Sequence, residues 1–258
     1  MTTRDIDLNL ELSRRKLLAA AGITGGAAVA ASLIRTGDAR TGTAASPSAD
    51  SVTVPPVTGL HLQFGADAAS EMVVSWHTLQ PVGNPRVVLG TLEGKLDRVV
   101  AAKEVSYTDA KSSQVVYAYH AKIGQLRPDS AYLYGASHDG AEPGFGTFRT
   151  APRGRVRFTF TSFGDQATPT LGRKYKPDER LTTAKPMYVN DNLGSPAAAD
   201  TVLGVERLRP LFHLLNGDLC YANLAEDRVR TWRDFWENNS RSARNRPWMP
   251  AAGNHENE

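Results

Sequence analysis

A single cysteine, Cys220, rules out an internal disulfide, so no disulfide framework holds this chain together and cysteine usage carries no sign of an oxidising compartment. Excess charge is also scarce. The net charge is only +3, and Lys and Arg are spread along the chain without a basic run interleaved with aromatics, which gives nucleic acid binding no footing. What is present, 41% hydrophobic and 22% charged residues over 258 positions, is the composition of an ordinary soluble globular protein long enough for two modest domains and a tail. The compartment has to be read from the N-terminus.

There Ser13-Arg14-Arg15-Lys16-Leu17-Leu18 precedes an Ala- and Gly-rich apolar stretch ending near Ile34, followed by the small, polar segment Thr36 to Asp50. This is the three-part layout of an export signal, and the paired arginines resemble the twin-arginine class, with Leu17 where that pattern more often has Phe. Residues 1–45 are therefore read as a signal peptide cleaved between Ala39 and Ala45. The expected partner is the twin-arginine export machinery, and the expected location is secreted or cell-surface, with no stable membrane insertion after cleavage. A retained anchor is the competing reading, because Leu17 to Ile34 is at the short limit for spanning a ~30 Å bilayer core. The glycines, Thr24 and Ser32 within it weaken that option.

Residues 46–56, with Ser46-Pro47-Ser48 and Val54-Pro55-Pro56, read as an extended linker. From 57 to 150 the chain shows strand-like runs split by turn residues: Leu60 to Gly65, Met72 to Trp76, Arg86 to Gly90, Arg98 to Val105, Gln114 to Ile123, Ala131 to Ser137 and Phe145 to Thr150. Such spacing predicts a β-sandwich. Val115, Tyr117, Tyr119 and Ala121 alternate with more polar neighbours and are expected to face inward. Leu126-Arg127-Pro128-Asp129-Ser130-Ala131-Tyr132 resembles the L-x-P-x-T-x-Y of fibronectin type III domains, in which the tyrosine hydroxyl pins a corner between strands. His61, His77, His120 and His138 lack a partner at ligand spacing and are read as structural or surface residues.

Beyond Ala151-Pro152-Arg153-Gly154 the pattern changes to α/β, over 155–258. Strands are predicted at Val156 to Ser162, Pro210 to Leu215 and Trp248 to Ala252, with helices at Ala197 to Leu208 and Ala225 to Trp236, and a long loop over Lys174 to Asn192. Each strand closes on a short cluster: Gly164-Asp165, Gly217-Asp218-Leu219-Cys220-Tyr221 and Gly253-Asn254-His255-Glu256. In open α/β sheets ligands lie beyond the carboxyl ends of the strands. The glycines permit φ > 0 directly after a strand, aiming the next side chain across the sheet top. Two carboxylates, a phenol, an amide oxygen and an imidazole suit hard or borderline metal ions. Asp218 is the better candidate to bridge two ions at the ~3.5–4 Å separation of two-metal hydrolases. A phenol of pKa about 10 becomes a ligand near neutrality only on a strong Lewis acid, which points Tyr221 to ferric iron. Asn254 suits a divalent ion, and His255 either ligates or assists at a phosphate leaving oxygen. His213 is read as a core residue and Cys220 as a small packing residue.

The series resembles the metallophosphoesterase (calcineurin-like) superfamily, and G-D-x-x-Y followed by G-N-H-E is similar to its purple acid phosphatase branch, whose members carry a fibronectin-like domain before the catalytic one. The resemblance implies an all-β fibronectin type III-like sandwich at 57–150 followed by the first part of an α/β metallophosphoesterase domain at 155–258. It implies a binuclear centre of Fe(III) plus zinc, manganese or iron as the divalent ion, hydrolysing small-molecule phosphomonoesters with a metal-bound hydroxide. By that resemblance Asp165, Asp218 and Tyr221 hold the iron, Asp218 bridges, Asn254 holds the divalent ion and His255 is the catalytic residue at the substrate. The family's later V-x-x-H and G-H-x-H motifs are not found after Glu256, so the chain is expected to be an N-terminal fragment that is inactive alone. An exported phosphatase of the alkaline phosphodiesterase-like group is the alternative, without its W-D-D-H-E motif here. A non-catalytic surface binding module is a second one.

Overall fold

The computed structural model describes residues 54–93, 95–168, 173–174, 188–189 and 197–256. The leader and most of the segment between Lys174 and Asn192 lie outside them. Among the described residues no helix is long and apolar enough to cross a membrane.

Eight strands form the first layer pair: β1 (Thr58–Phe64), β2 (Met72–Thr78), β3 (Arg86–Thr91), β4 (Arg98–Ala101), β5 (Lys103–Thr108), β6 (Val115–Ile123), β7 (Ala131–Ser137) and β8 (Gly144–Arg149). They pair antiparallel in two sheets of order β1-β2-β6-β5 and β4-β3-β7-β8. Leu62, Met72, Val74, Trp76, Tyr119 and Ile123 from one sheet meet Val87, Leu89, Tyr134, Ala136 and Phe148 from the other in a dry core, which makes a sandwich. The single strand expected over Arg98 to Val105 is two. The chain leaves one sheet at Ala102, whose N–H bonds to Pro85 O at 2.8 Å, and joins the other. The corner tyrosine behaves as its motif predicts, for Tyr132 Oη accepts the Arg127 N–H at 2.8 Å.

The inward face of β6 is the expected one, with Tyr117 packed against the sandwich core, but its first half is less deeply buried. Tyr119, Ala121 and Ile123 are buried in the sandwich, but Val116 is buried while Val115 and Tyr117 are only half-buried. Both faces of that half are covered, since Val116 and Ala118 look out onto the following helical layer.

That layer is a three-stranded parallel sheet of β9 (Thr161–Phe163), β12 (His213–Leu215) and β13 (Trp248–Pro250), with β12 in the middle. A two-residue pair, β10 (Arg173–Lys174) with β11 (Tyr188–Val189), stands apart. Helices α1 (Ala197–Glu206), α2 (Arg228–Asn238) and the short α3 (Ser240–Ala243) provide the crossovers. Asp227 starts α2, accepting Arg230 N–H at 2.8 Å, so the helix begins three residues later than the apolar stripe suggests. The strands are shorter than expected as well. Residues 156–160 carry exposed Val156, Phe158 and Phe160, and only a bond from Leu211 N–H to Thr159 O continues the ladder there. Leu215, Leu219, Cys220, Phe235, Ala243 and Trp248 form this layer's core. Cys220 is thus a packing residue, and burial raises its thiol far above the ordinary value. His213 is fully buried and bonds Glu206, Ser242 and Thr161. Burial opposes ionisation of Glu206, yet hydrogen bonds from His213, Arg246 and Ser242 outweigh it and pull the carboxyl down to about 2.

The two layers are bolted together. Tyr134 Oη donates to Arg244 O at 2.9 Å, Thr147 N–H donates to Asn245 Oδ1 at 2.9 Å, and the His61 ring stacks on Trp236 at 4.0 Å. Between them a cleft of about 240 Å³ is lined by His61, His77, His120, Trp76, Trp232 and Trp236 among others.

Candidate metal centre

Register alone brings the clusters level. Leu215 pairs with Phe163 on one side and Pro250 on the other, so the three strands finish at the same height and their turns meet. The turns touch through glycines. A Cβ on Gly217 would sit 2.6 Å from Gly253 Cα, and one on Gly253 would sit 2.2 Å from Asp218 Oδ1 and 2.4 Å from Asp218 N. Only bare backbone fits at either place. Conformational freedom is the smaller reason for these residues. Gly217 has φ 84°, but elsewhere the left-handed conformation falls on the acidic and phenolic residues themselves: Asp165 φ 51°, Asp218 φ 51° and Tyr221 φ 56°. Positive φ is uncommon outside glycine and concentrates at functional sites. The expectation that glycines would carry it holds for Gly217 alone.

Tyr221 is the link between the first and second turns. Its phenol donates to Asp165 Oδ1 at 2.6 Å, although the two residues come from the ends of different strands. The backbone starts a short 3₁₀ turn, Ala222–Leu224, directly after it, and the ring packs with Ala167 and Ala225. Burial, the hydrogen bond to Asp165 and the charges of Asp165, Asp218 and Glu256 all push the phenol well above its usual range. Nothing in this surrounding favours the phenolate, so a strong cation is what the site calls for if Tyr221 is to bind as an anion.

The second and third turns are joined more densely. His255 N–H donates to Asp218 Oδ1 at 3.0 Å, and the Glu256 carboxylate accepts three further backbone N–H groups from the same pair of turns. The His255 ring lies 4.3 Å from that of Tyr221, and its Nδ1 donates to Asn223 Oδ1 at 2.9 Å. That bond occupies Nδ1 and orients the ring, leaving Nε2 as the second working nitrogen. Asp165 and Asn254 are exposed, Asp218 and His255 half-buried.

All five predicted site residues thus lie on the three adjoining turns, and Asp165, Tyr221, Asp218 and His255 are connected by direct contacts. Among the described residues no group of three or more His, Cys, Asp or Glu lies close enough to hold one ion. The oxygen donors Asp165, Tyr221 and Asp218 fit a hard trivalent ion by their chemistry; they are a partial set. Sequence reasoning missed Glu256 and Asn223. Glu256 sits inside the quoted motif, but its partners are backbone groups that leave no trace in sequence.

Residues 57–159 match the family model described as purple acid phosphatase, N-terminal domain. An uncharacterised protein of Mycobacterium tuberculosis is 59% identical over 204 residues, covering 79% of this chain and 37% of that protein. Purple acid phosphatase 18 of Arabidopsis thaliana is 26% identical over 204 residues, covering 77% of this chain and 37% of its own length. The structure of a purple acid phosphatase from yellow lupin seeds superposes with a TM-score of 0.55 at 20% identity, over 78% of this chain and 36% of that one, a likeness of fold. The chain spans little more than a third of the length of these relatives.

Proposed function

We propose, for a chain whose residues 57–159 belong to the purple acid phosphatase N-terminal domain family, that the strand-end cluster is part of a binuclear metal centre that hydrolyses phosphomonoesters. Asp165, Asp218 and Tyr221 would hold ferric iron, Asp218 would bridge, and Asn254 would hold zinc, manganese or iron(II). The observation that carries this reading is the 2.6 Å contact between Tyr221 Oη and Asp165 Oδ1, which sets two oxygen donors from different strands at the separation of ligands on one ion. When bound, the two ions supply Lewis acidity at the phosphate and activate the attacking water.

The chain's own residues orient and move protons. His255, fixed through Nδ1 by Asn223 and flanked by the Tyr221 ring, presents Nε2 to the leaving-group oxygen; in its imidazolium form, with both ring nitrogens protonated, it would give the Nε2 proton to that oxygen and return to the neutral ring. Asp218 places His255 through its backbone bond. The remaining ligands of both ions are taken to come from outside these five residues. The paired arginines of the leader support export by the twin-arginine route and a secreted or cell-surface location.

The test is aryl phosphate hydrolysis by the protein expressed from its complete reading frame and loaded with iron and zinc. Replacing His255 by Asn should lower kcat by ~10²–10⁴-fold, the range for loss of a general acid, without removing the metals. Full activity in that variant would overturn the assignment.

A further inference from the structure

Glu256 has no place in the chemistry above, yet it is the most heavily used acceptor at the site. Its Oε2 accepts Asp218 N–H and Gly253 N–H, both at 2.8 Å, and its Oε1 accepts Leu219 N–H at 2.7 Å. The carboxylate is half-buried, and among the described residues no Lys or Arg forms an ion pair with it. Its charge is balanced by backbone dipoles from two separate turns. Charge-assisted bonds of this kind are roughly twice as strong as neutral ones. Gly253 and Glu256 also close on each other reciprocally, Glu256 N–H reaching Gly253 O at 3.4 Å, which locks the 3₁₀ turn Asn254–Glu256 that carries Asn254 and His255.

We propose that Glu256 is a positioning residue that holds the turn carrying Asp218 against the turn carrying Asn254 and His255, and so governs the divalent half of the centre more strongly than the ferric half, which it touches through the bridging Asp218 alone. The asymmetry follows from connectivity. Asp165 and Tyr221 are joined to each other directly and touch none of the Glu256 bonds. The turn that carries Asn254 is tied to Asp218 by the Glu256 clamp and by the His255 N–H bond to Asp218 Oδ1, and the peptide entering Asp218, whose φ of 51° aims the carboxylate, is pinned by the same oxygen that pins Gly253. This inference rests on the metal reading of the site.

Glu256→Gln is the sharpest test because it keeps the shape and changes one acceptor oxygen into a donor. Whichever way the amide turns, its NH₂ faces at least one backbone N–H, so one side of the clamp is lost. Three measurements on the complete protein separate the outcomes: amide exchange at Asp218, Leu219 and Gly253 without metal, zinc affinity in the iron-loaded state, and the visible ferric band. Expected are faster exchange at those amides, zinc affinity weakened by ~10–100-fold, the range for loss of a group that orients metal ligands, and a ferric band that persists, because Tyr221 and Asp165 are bonded to each other and not to Glu256. Glu256→Ala should show the same pattern, more strongly. Unchanged zinc affinity alongside loosened amides would reduce Glu256 to a structural role and overturn the inference, as would loss of the ferric band together with zinc. Wild-type protein that binds neither Fe(III) nor Zn(II) would instead overturn the metal reading itself.

Discussion

Tyr221 donates its phenolic proton to Asp165 at 2.6 Å across two strand ends, from a backbone in the left-handed region. In metal-free protein this bond ties the first turn to the second. Tyr221→Phe should therefore lower stability by ~1 kcal/mol, the size of an ordinary hydrogen bond and less than a buried bond to a charged acceptor because Asp165 is exposed. Thermal unfolding without metal should show a drop of a few degrees. An unchanged midpoint would mean that the bond contributes nothing in solution.

The contact of Gly253 with Asp218 predicts a sharper loss. Gly253→Ala forces a methyl to within 2.2 Å of Asp218 Oδ1 and 2.4 Å of its backbone nitrogen, and overpacking of this kind costs ~1–3 kcal/mol. Divalent metal binding should weaken in parallel with thermal stability. The matching substitution at Gly154, which has open space around it but φ 80°, should cost only the backbone strain and leave metal binding unaffected.

The cleft between the layers predicts acid sensitivity. Burial holds His61 and His77 down to about 4; the neighbouring His77 and His120 lower His61 further against the opposing Gly59 carbonyl, and Arg233 of α2 lowers His77. Arg233 itself lies near Asp234 and Glu237. With folded values below the ordinary histidine value of 6.5, the unfolded chain takes up more protons between those limits. The contribution of these histidines to stability is complete above pH 6.5, declines as pH falls towards 4, and is gone below that. Unfolding followed by tryptophan fluorescence, with Trp236 stacked on His61 as reporter, should show this decline, and His77→Gln should flatten it. An identical pH profile in that variant would contradict the assignment.

The leader predicts that Arg14→Lys with Arg15→Lys leaves precursor in the cytoplasm, detected by fractionation and immunoblotting. Normal export of the double variant would end the twin-arginine reading.

Much of this was legible before any coordinates. Alternation and the Leu126-to-Tyr132 motif announced the sandwich, because a half-buried strand and a corner hydrogen bond each demand particular side chains at fixed offsets. The Gly-Asp and Gly-Asn-His-Glu clusters announced the strand ends for the same reason. What stayed hidden depends on backbone or on distant register. The close approach of Gly217 to Gly253, and the three N–H groups on Glu256, involve atoms that every residue shares. The histidines of the cleft are scattered in sequence and converge only because His61 pairs with Ser75, and Ser75 with His120, across β1, β2 and β6. The sheet switch at Ala102 was invisible because the run from Arg98 to Val105 has no breaker within it.

The central claim is that Tyr221 and its neighbouring carboxylates bind ferric iron, and the visible spectrum tests it most directly. Protein expressed from the complete reading frame and loaded with Fe(III) should show a phenolate-to-iron charge-transfer band, and Tyr221→Phe should abolish it and lower the iron content. A band of the same position and intensity in the variant, with iron content unchanged, would contradict the account.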